Sequence, residues 1–481
     1  MRGLITLLGV ALLAGSPGLA KSIKVRGYVT ELRSSTSFDI DDYRIMRDQT
    51  LTLEFEKEDD QSEDLPKDIR VGTELEIKGD FDESTRELHA KNIKVFPGDT
   101  HKLKRTAILE QMPKLAKIGS KWEGSMRIDG QTLLVDETTD VRIVPNSSQK
   151  KAINKAEKAR KKAKNEDEQA DQETALTKLD DIHPEMYVAY EGRRLEDGRV
   201  QTTKLTFKDN EMTGAEAKLW KSLKPKVKEF KAGSPGEIRI AGHKSKIIPD
   251  AALQKYVSEL ALSLVPESQR TLTSDSPNRI PFQVHVIDQK GFNAFATANG
   301  IVCVNSGVFT VAENEAQLAF VLGHEIAHAT QEHTLRQMEF HKKKRMALAI
   351  GAAVAQAYGA YNVRDLIQLT EAAITNGYQR YLENQADRLG MEYMIAAGYD
   401  PREAPRAWKA VSLKQGDSPT DFFWSNHDNN TTRRSYLMAE LKNNYPGQTF
   451  ASTKKDSEGF QAARSAVQSM HAKNIKIKVK H

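Results

Sequence analysis

Residues 321–328 read Val-Leu-Gly-His-Glu-Ile-Ala-His, and this stretch decides what kind of domain surrounds it. Residues 315–336 contain no proline, so a helix is expected across the motif. His324 and His328 then lie about one helical turn apart on one face, where both imidazoles can reach a single tetrahedral ion. Glu325 follows the first histidine and is close enough to take a proton from water held by that ion. The motif therefore predicts a catalytic site with one Zn²⁺ per chain.

A zinc site built on two histidines needs a third protein ligand and keeps its fourth position open. Residues 381–387 read Tyr-Leu-Glu-Asn-Gln-Ala-Asp and place two carboxylates four residues apart on another expected helix. Apolar residues flank this pair, and acidic side chains in apolar surroundings need a partner. We predict Glu383 as the third ligand and Asp387 as the hydrogen-bond acceptor for the far nitrogen of a ligand histidine. The alternative is an exposed acidic face that binds no metal.

The H-E-x-x-H pattern alone does not identify a peptidase, because chance would place it in roughly two of a hundred chains of this length. Further motifs strengthen the identification. They occur in chain order at 293–296 (Asn-Ala-Phe-Ala), 300–307 (Gly-Ile-Val-Cys-Val-Asn-Ser-Gly), 314–319 (Asn-Glu-Ala-Gln-Leu-Ala), 321–328, 383–387 and 397–401 (Ala-Gly-Tyr-Asp-Pro). Together they resemble the zinc metallopeptidases of the HtpX, Oma and CAAX-prenyl-protease group, metallopeptidase family forty-eight, and most of all its soluble periplasmic BepA-type members. The resemblance covers residues 248–441, about two-fifths of the chain.

The resemblance implies a mainly helical gluzincin domain with a small sheet, which hydrolyses peptide bonds with the help of zinc. It also implies an edge strand that holds an extended polypeptide by main-chain pairing, which gives affinity with little sequence preference. The residues of this expected substrate-binding edge strand are Ile301, Val302, Cys303, Val304 and Asn305.

The family usually carries a later His-Pro followed by an arginine. Here His427 supplies the histidine and Arg433 the arginine, but Asp428 replaces the proline. The resemblance implies that His427 lies near the metal, where it can occupy the open position and hold the enzyme latent. The alternative is a histidine in a surface loop. His333 comes five residues after His328 and is expected to point away from the metal into solvent.

Residues from about 22 to 96 alternate apolar and polar side chains with the two-residue period of strands, and a second unit repeats the first. Residues 68–96 align with residues 181–207, and 25–28 align loosely with 122–125. This similarity predicts two tandem all-β modules, each a barrel-like unit of about five or six strands.

The expected architecture is therefore multidomain, with two small all-β modules followed by a mainly α zinc-peptidase domain that has a small sheet. Its parts are residues 1–20 (signal peptide), 21–100 (β module 1), 101–210 (β module 2, with a charged helical insertion at about 148–180), 211–447 (metallopeptidase domain) and 448–481 (C-terminal tail). The insertion reads as a solvated helix, with phosphate or acidic lipid binding as the alternative. Residues 475–479 read as a terminal strand or a frayed tail, and the pattern does not choose between them.

Composition excludes some partners. The chain has 71 Lys and Arg against 66 Asp and Glu, a net charge of +5, which gives no case for nucleic acid. Residues 1–20 read as a cleaved secretory signal, with an uncleaved anchor helix as the alternative. No later apolar stretch reaches membrane length, so no integral membrane segment is expected. A periplasmic or secreted location follows, and the lone Cys303 cannot form an internal disulfide.

The predicted function is an exported zinc endopeptidase that cleaves unfolded or misassembled envelope proteins, with Glu325 as general base. Three roles stay open for the β modules: positioning substrate, binding an envelope protein partner, or covering the active site. A rival hypothesis is a periplasmic chaperone or adaptor with a latent zinc site. A second is a structural zinc protein, but closed structural sites usually have four ligands rich in cysteine.

Overall fold

The fold is taken from a computed structural model of the chain. It describes residues 21–55, 69–96, 102–146, 149–151, 154–155, 181–195, 197–210, 220–221, 223, 226–228, 236–240, 243–337, 378–415, 430–451 and 453–478. The predicted signal peptide and most of the predicted charged insertion lie outside these residues, and the domain boundaries stay predictions.

The first sheet has seven strands. They are β1 (Lys21–Tyr28), β2 (Glu31–Ser34), β3 (Ser37–Ile40), β4 (Tyr43–Met46), β5 (Leu53–Phe55), β6 (Glu74–Asp82) and β7 (Glu87–Val95). Their order is β1-β6-β7-β4-β3-β2, and β5 also pairs with β7. The two-residue period has the expected effect: Leu75 and Ile77 of β6 are buried, while Lys78 is exposed.

The second sheet repeats this topology. Its strands are β8 (Lys102–Ile108), β9 (Lys114–Ile118), β10 (Lys121–Ile128), β11 (Gln131–Val135), β12 (Asp140–Val144), β13 (Tyr187–Arg194) and β14 (Val200–Lys208). The order β8-β13-β14-β11-β10-β9, with β12 beside β14, equals that of the first sheet when seven is added to each strand number. The prediction of two all-β modules followed by a helical domain is confirmed.

Two details of the sequence-based prediction differ from the structure. The predicted match of 25–28 with 122–125 is wrong, because the counterpart of β1 is β8, whereas 122–125 belongs to β10. Alternation is common to all strands, so it cannot fix which strand corresponds to which. In the described residues, neither sheet closes into the expected barrel: no ladder joins β1 to β2 or β8 to β9.

The remaining strands and the helices form a third unit, which we call the helical domain. Its strands are β15 (Lys226–Lys228), β16 (Gly236–Ile240), β17 (His243–Ile247), β18 (Gln283–Ile287), β19 (Ala294–Ala296) and β20 (Ile301–Asn305). Its helices are α1 (Ala251–Leu264), α2 (Glu267–Thr271), α3 (Val308–Val311), α4 (Glu315–Thr330), α5 (Arg380–Ala396), α6 (Glu403–Gln415), α7 (Asn430–Asn444) and α8 (Glu458–Lys478).

Helix α4 runs through the centre of the helical domain, and every one of its residues is buried. The Asn314 side chain begins the helix by accepting a hydrogen bond from the backbone N–H of Gln317 at 3.0 Å. Helix α5 crosses α4 where Gly323 faces Gly390. A Cβ on Gly390 would lie 2.7 Å from the backbone nitrogen of His324, so only glycine allows this approach.

The expected position of the substrate-binding edge strand is wrong. Strand β20, which contains Ile301 to Asn305, lies between β18 and β19 and is hydrogen-bonded on both sides. All five of its residues are buried. The strand at this end of the sheet is β19. A run of apolar residues with no alternation is typical of an inner strand, and this explains the pattern in β20.

The C-terminal segment is a helix, not a strand or a frayed tail. Helix α8 extends to Lys478 and contacts α1 and α3. Its apolar residues Phe460, Ala463 and Val467 recur at intervals of three and four and are buried in the core of the helical domain. Among the described residues, no helix is both long and apolar enough to cross a membrane.

Both β sheets contact the helical domain through the tips of equivalent hairpins. Asp41, between β3 and β4, pairs with Arg434 of α7, and Asp129, between β10 and β11, pairs with Arg388 of α5 at 2.6 Å. Both aspartates have positive φ angles, 53° and 55°. The repeated module therefore docks with the same loop twice, on two different helices.

Glu185 should make the stability of the protein depend on pH. It is buried where the second sheet meets α2, and it accepts a hydrogen bond from Gln269 at 2.9 Å. Burial, together with the nearby Glu332, raises the pKa of Glu185 to about 7. In the unfolded chain a glutamate titrates near ~4.3. The folded protein therefore holds the extra proton between these values, and stability falls as pH rises through them.

We predict that Glu185→Gln, which stays neutral, matches the wild type at pH 5 and unfolds at a higher temperature at pH 8. Thermal unfolding midpoints from pH 5 to 8 would measure this. The substitution removes a contribution of at most about 1.4 kcal/mol per pH unit from the pH dependence of the free energy of unfolding. Glu123→Gln, at an exposed position of β10, is the control. A difference that is constant across the pH range would contradict the prediction.

Candidate metal centre and active site

Three side chains converge between α4 and α5. The Nε2 atoms of His324 and His328 lie 3.0 Å apart. The carboxylate of Glu383 lies 3.4 Å from Nε2 of His324 and 3.7 Å from Nε2 of His328. One donor atom from each residue falls within 4.8 Å of the others, and all three side chains are buried. The structure thus brings together the three residues that the sequence predicts as ligands.

The far nitrogen of His324 faces Asp387. Its Nδ1 lies 3.0 Å from Oδ1 of Asp387, and the Arg433 guanidinium donates to both oxygens of that carboxylate at 2.9 and 2.6 Å. Arg433 in turn lies over the ring of Trp408, with its Cζ atom 3.8 Å from the ring centroid. Burial alone would raise the pKa of Asp387, but Arg433 and His324 outweigh burial and lower it. Asp387 is therefore a carboxylate that accepts the Nδ1–H of His324.

The far nitrogen of His328 faces His333, and the expectation that His333 points into solvent is wrong. His333 is fully buried, and its Nδ1 lies 2.8 Å from Nδ1 of His328. The reason is that α4 ends at Thr330 and the backbone turns at Glu332, where φ is 52°. The helical phase that carries His324 and His328 no longer applies five residues later. Burial lowers the pKa of His333 well below its usual value, and the nearby positive charge of Arg336 lowers it further, so the ring is neutral.

The donor set fits a divalent cation. With Nδ1–H of each ligand histidine donated outward, both Nε2 lone pairs and the Glu383 carboxylate point at one another in a buried space. Burial lowers the pKa of His324, but Asp387 and Glu383 outweigh burial and raise it to about 9. A positive charge is thus favoured at this point, and an ion would replace the proton that the metal-free site holds.

Glu325 follows His324 on α4 and is buried like the rest of that helix. Its side chain is 4% exposed, and burial raises its pKa to about 7. Glu383 adds to this rise, whereas His324 and a hydrogen bond from the backbone N–H of Ala296 oppose it. A carboxyl group with a pKa near neutrality can accept a proton and return it, as a general base requires.

Two further predicted residues have different outcomes. Arg433 is brought to the site, where it contacts Asp387 and comes within 3.5 Å of Glu383. Arg433 would therefore act by positioning Asp387 and Glu383. His427 lies outside the described residues, so its position near the metal stays a prediction.

The sequence reasoning missed three residues beside the ligands: His333, Gln385 and Tyr378. The Tyr378 ring stacks on His328 with centroids 4.1 Å apart. Gln385 could have been found, since it lies two residues after Glu383 within the recognised motif. Tyr378 has no such signal, because it precedes α5 and reaches His328 only through the tertiary fold.

Comparisons with known proteins agree with this geometry. Residues 251–453 match the model of peptidase family M48. The β-barrel assembly-enhancing protease of Escherichia coli (strain K12) is 32% identical over 167 residues, which is 33% of this chain and 32% of the relative.

A putative β-barrel assembly-enhancing protease of Vibrio cholerae is also 32% identical, over 175 residues and 35% of each chain. The mitochondrial metalloendopeptidase OMA1 of Arabidopsis thaliana is 26% identical over 219 residues, 44% of this chain and 42% of the relative. The chain thus spans about a third of the length of the bacterial relatives. Its two β sheets lie before the residues matched by the family model.

We expect Asp387→Ala to destabilise the metal-free protein by about 3–5 kcal/mol, because it removes the carboxylate that accepts two hydrogen bonds from the buried Arg433. Thermal unfolding in the presence of a chelator measures this without any contribution from metal. Asp140→Ala removes a carboxylate paired with Arg142 at a similar 2.7 Å, but both side chains are exposed, so this control should change the midpoint little. Equal effects of the two substitutions would contradict the assigned burial.

Proposed function

We propose that the protein is a zinc-dependent endopeptidase that hydrolyses peptide bonds of unfolded or misassembled envelope proteins. The observation that carries the proposal is the convergence of His324, His328 and Glu383 in a buried site with Glu325 beside it. Two histidines and one glutamate are the ligand set of catalytic zinc sites, which keep a fourth position open. A zinc ion held there polarises a carbonyl group and makes water more acidic.

The residues of this chain supply the remaining steps. Glu325 takes a proton from the attacking water and passes it to the amine nitrogen that leaves when the peptide bond breaks. Asp387 and Arg433 hold His324 in one orientation, and burial excludes bulk water from the ligands.

An extended substrate fits beside β19. This strand pairs with β20 on one side, and within the described part of the chain no strand lies on its other side. Its last residue, Ala296, has a backbone N–H that faces Glu325. A polypeptide that adds to the free side of β19 by main-chain hydrogen bonds would therefore lie next to the general base. This replaces β20 with β19 as the proposed substrate strand.

The substrate class rests on likeness. The bacterial relatives carry the name β-barrel assembly-enhancing protease, which ties those proteins to the assembly of β-barrel proteins. The predicted secretory signal at residues 1–20 would export this protein from the cytoplasm. We include in the proposal a periplasmic or secreted location, and an envelope partner bound by the β sheets.

The decisive experiment compares the wild type with Glu325→Gln and Glu383→Gln in zinc content and in casein cleavage. We expect about one zinc per chain and cleavage for the wild type, zinc without cleavage for Glu325→Gln, and loss of both for Glu383→Gln. If the wild type binds zinc and no form cleaves unfolded substrates, the chaperone or adaptor hypothesis takes over. Absence of zinc from the wild type would overturn the site assignment.

Main-chain pairing with β19 predicts that backbone N–H groups of the substrate matter more than its side chains. Peptides with a single N-methyl group should lose cleavage when the methyl falls on an N–H that faces β19, and not at the neighbouring position, because strand hydrogen bonds alternate. Cleavage rates for a series in which the methyl moves along one peptide sequence measure this. A series without alternation would contradict strand addition.

A further inference from the structure

A chain of hydrogen bonds connects the metal ligand His328 to the second β sheet. His333 Nδ1 contacts His328, and His333 Nε2 lies 3.1 Å from Oε1 of Gln385. The Gln385 amide nitrogen then donates to Oδ1 of Asp129 at 2.7 Å. All four side chains are at most 4% exposed. The path therefore runs from the β10–β11 hairpin to the metal centre entirely inside the protein.

The surroundings of Gln385 allow only one orientation of its amide. The Arg336 guanidinium donates to Oε1 at 2.5 Å, while Nε2 faces two acceptors, the backbone oxygen of Thr106 at 3.3 Å and the carboxylate of Asp129. A flipped amide would place its NH₂ against the guanidinium and its oxygen against two oxygens. Thr106 and Asp129 both belong to the second β sheet and its hairpin, so that unit sets the orientation.

This orientation decides which nitrogen of each histidine carries a proton. A hydrogen bond to the oxygen of Gln385 requires the proton on Nε2 of His333, so a His333 ring with one proton accepts a hydrogen bond at Nδ1. The partner at Nδ1 is then the Nδ1–H of His328. His328 is left with a lone pair on Nε2, the atom that faces His324 and Glu383. A neutral histidine with the proton on Nδ1 is the form that binds metal through Nε2.

Asp129 is held firmly at the hairpin tip. The turn Asp129-Gly130 has φ angles of 55° and 68°, as a two-residue type I′ turn requires. Arg388 of α5 donates to the Asp129 carboxylate at 2.6 Å, and the Tyr190 hydroxyl donates to its other oxygen at 3.0 Å. A Cβ on Gly130 would lie 2.7 Å from Cγ of Arg388, so the turn fits closely against α5.

We propose that the second β sheet is a positioning element of the metal site, acting through the series Asp129, Gln385 and His333 to present Nε2 of His328 to the ion. The inference rests on the proposed zinc site and deepens it. It assigns a role to a unit that lies before the matched family region. It also makes Asp129, more than 190 positions away in the sequence from His328, part of the support of a ligand.

The first test compares His333→Leu with His333→Asn. Leucine and asparagine have nearly the same shape, but only asparagine offers an oxygen near the position of Nδ1 to accept the His328 N–H. Outer hydrogen-bond partners of metal ligands contribute about 10–100-fold to metal affinity. We expect His333→Leu to weaken zinc binding by this factor and His333→Asn to retain most of the affinity, as measured by chelator competition at fixed pH.

The second test removes the start of the path. Asp129→Gly tolerates the positive φ angle while deleting the carboxylate, and Gln385→Met removes both polar atoms of the amide at constant length. Both should weaken zinc binding. The control is Arg127→Gln, which breaks a 2.5 Å ion pair with Glu392 between the same hairpin and the same helix. Arg127 has no contact in the path, so its loss should leave zinc affinity unchanged.

The outcomes separate this inference from the proposed function. If the wild type binds no zinc, the proposed function fails first. If it binds zinc and His333→Leu binds equally well, or if His333→Asn is as weak as His333→Leu, the hydrogen bond to His333 has no positioning role. If only the His333 variants lose affinity, the second β sheet is excluded from the path. Unfolding midpoints of the metal-free variants identify any that fail to fold.

Discussion

The close crossing of α4 and α5 is the constraint on which the site depends. Gly323 and Gly390 allow the two backbones to touch, and His324 lies directly at the contact. With the helices at this distance, Glu383 of α5 reaches the two histidines of α4, and Asp387 reaches the back of the first one. A methyl group at Gly390 would require the helices to separate, and the carboxylate would move away from the imidazoles.

Such a crossing brings charged groups into a dry interior, where each needs a partner because burying an unpaired charge is costly. Asp387 and Arg433 neutralise each other behind His324. The neutral pair of His333 and Gln385 occupies the corresponding place behind His328. His324 is therefore supported directly by an ion pair, whereas His328 is supported by an imidazole and an amide that lead to the carboxylate of Asp129. A cation is favoured in the space between the three ligands.

Each copy of the repeated β module contacts a helix that also carries residues of the metal centre. The hairpin tip of the first sheet pairs Asp41 with Arg434, the neighbour of the arginine that holds Asp387. The equivalent tip of the second sheet places Asp129 against Gln385 and Arg388. The two copies share one topology and one docking loop, yet they pair with different helices, α7 and α5. Only the second copy has a hydrogen-bonded path to a ligand among the described residues.

The sequence alone determined the local chemistry. Four-residue spacing puts two histidines on one helical face, two-residue alternation marks the strands of the β modules, and the order of motifs identifies the third ligand. Each of these follows from the geometry of a single element. The prediction for His333 was wrong because it extended the helical phase past Thr330. The prediction of a strand or frayed tail at the C-terminus was wrong because residues up to Lys478 continue α8.

Only the tertiary structure decided how the elements meet. Alternation could not show that β20 is an inner strand, since sheet order depends on pairing between distant segments. Nor could any spacing reveal that Asp129 supports His328, because that path crosses four buried side chains from three separate parts of the chain. Short sequence motifs are enough to identify the ligand residues. Ligand orientation is set by packing, because hydrogen-bond partners are chosen by proximity in space.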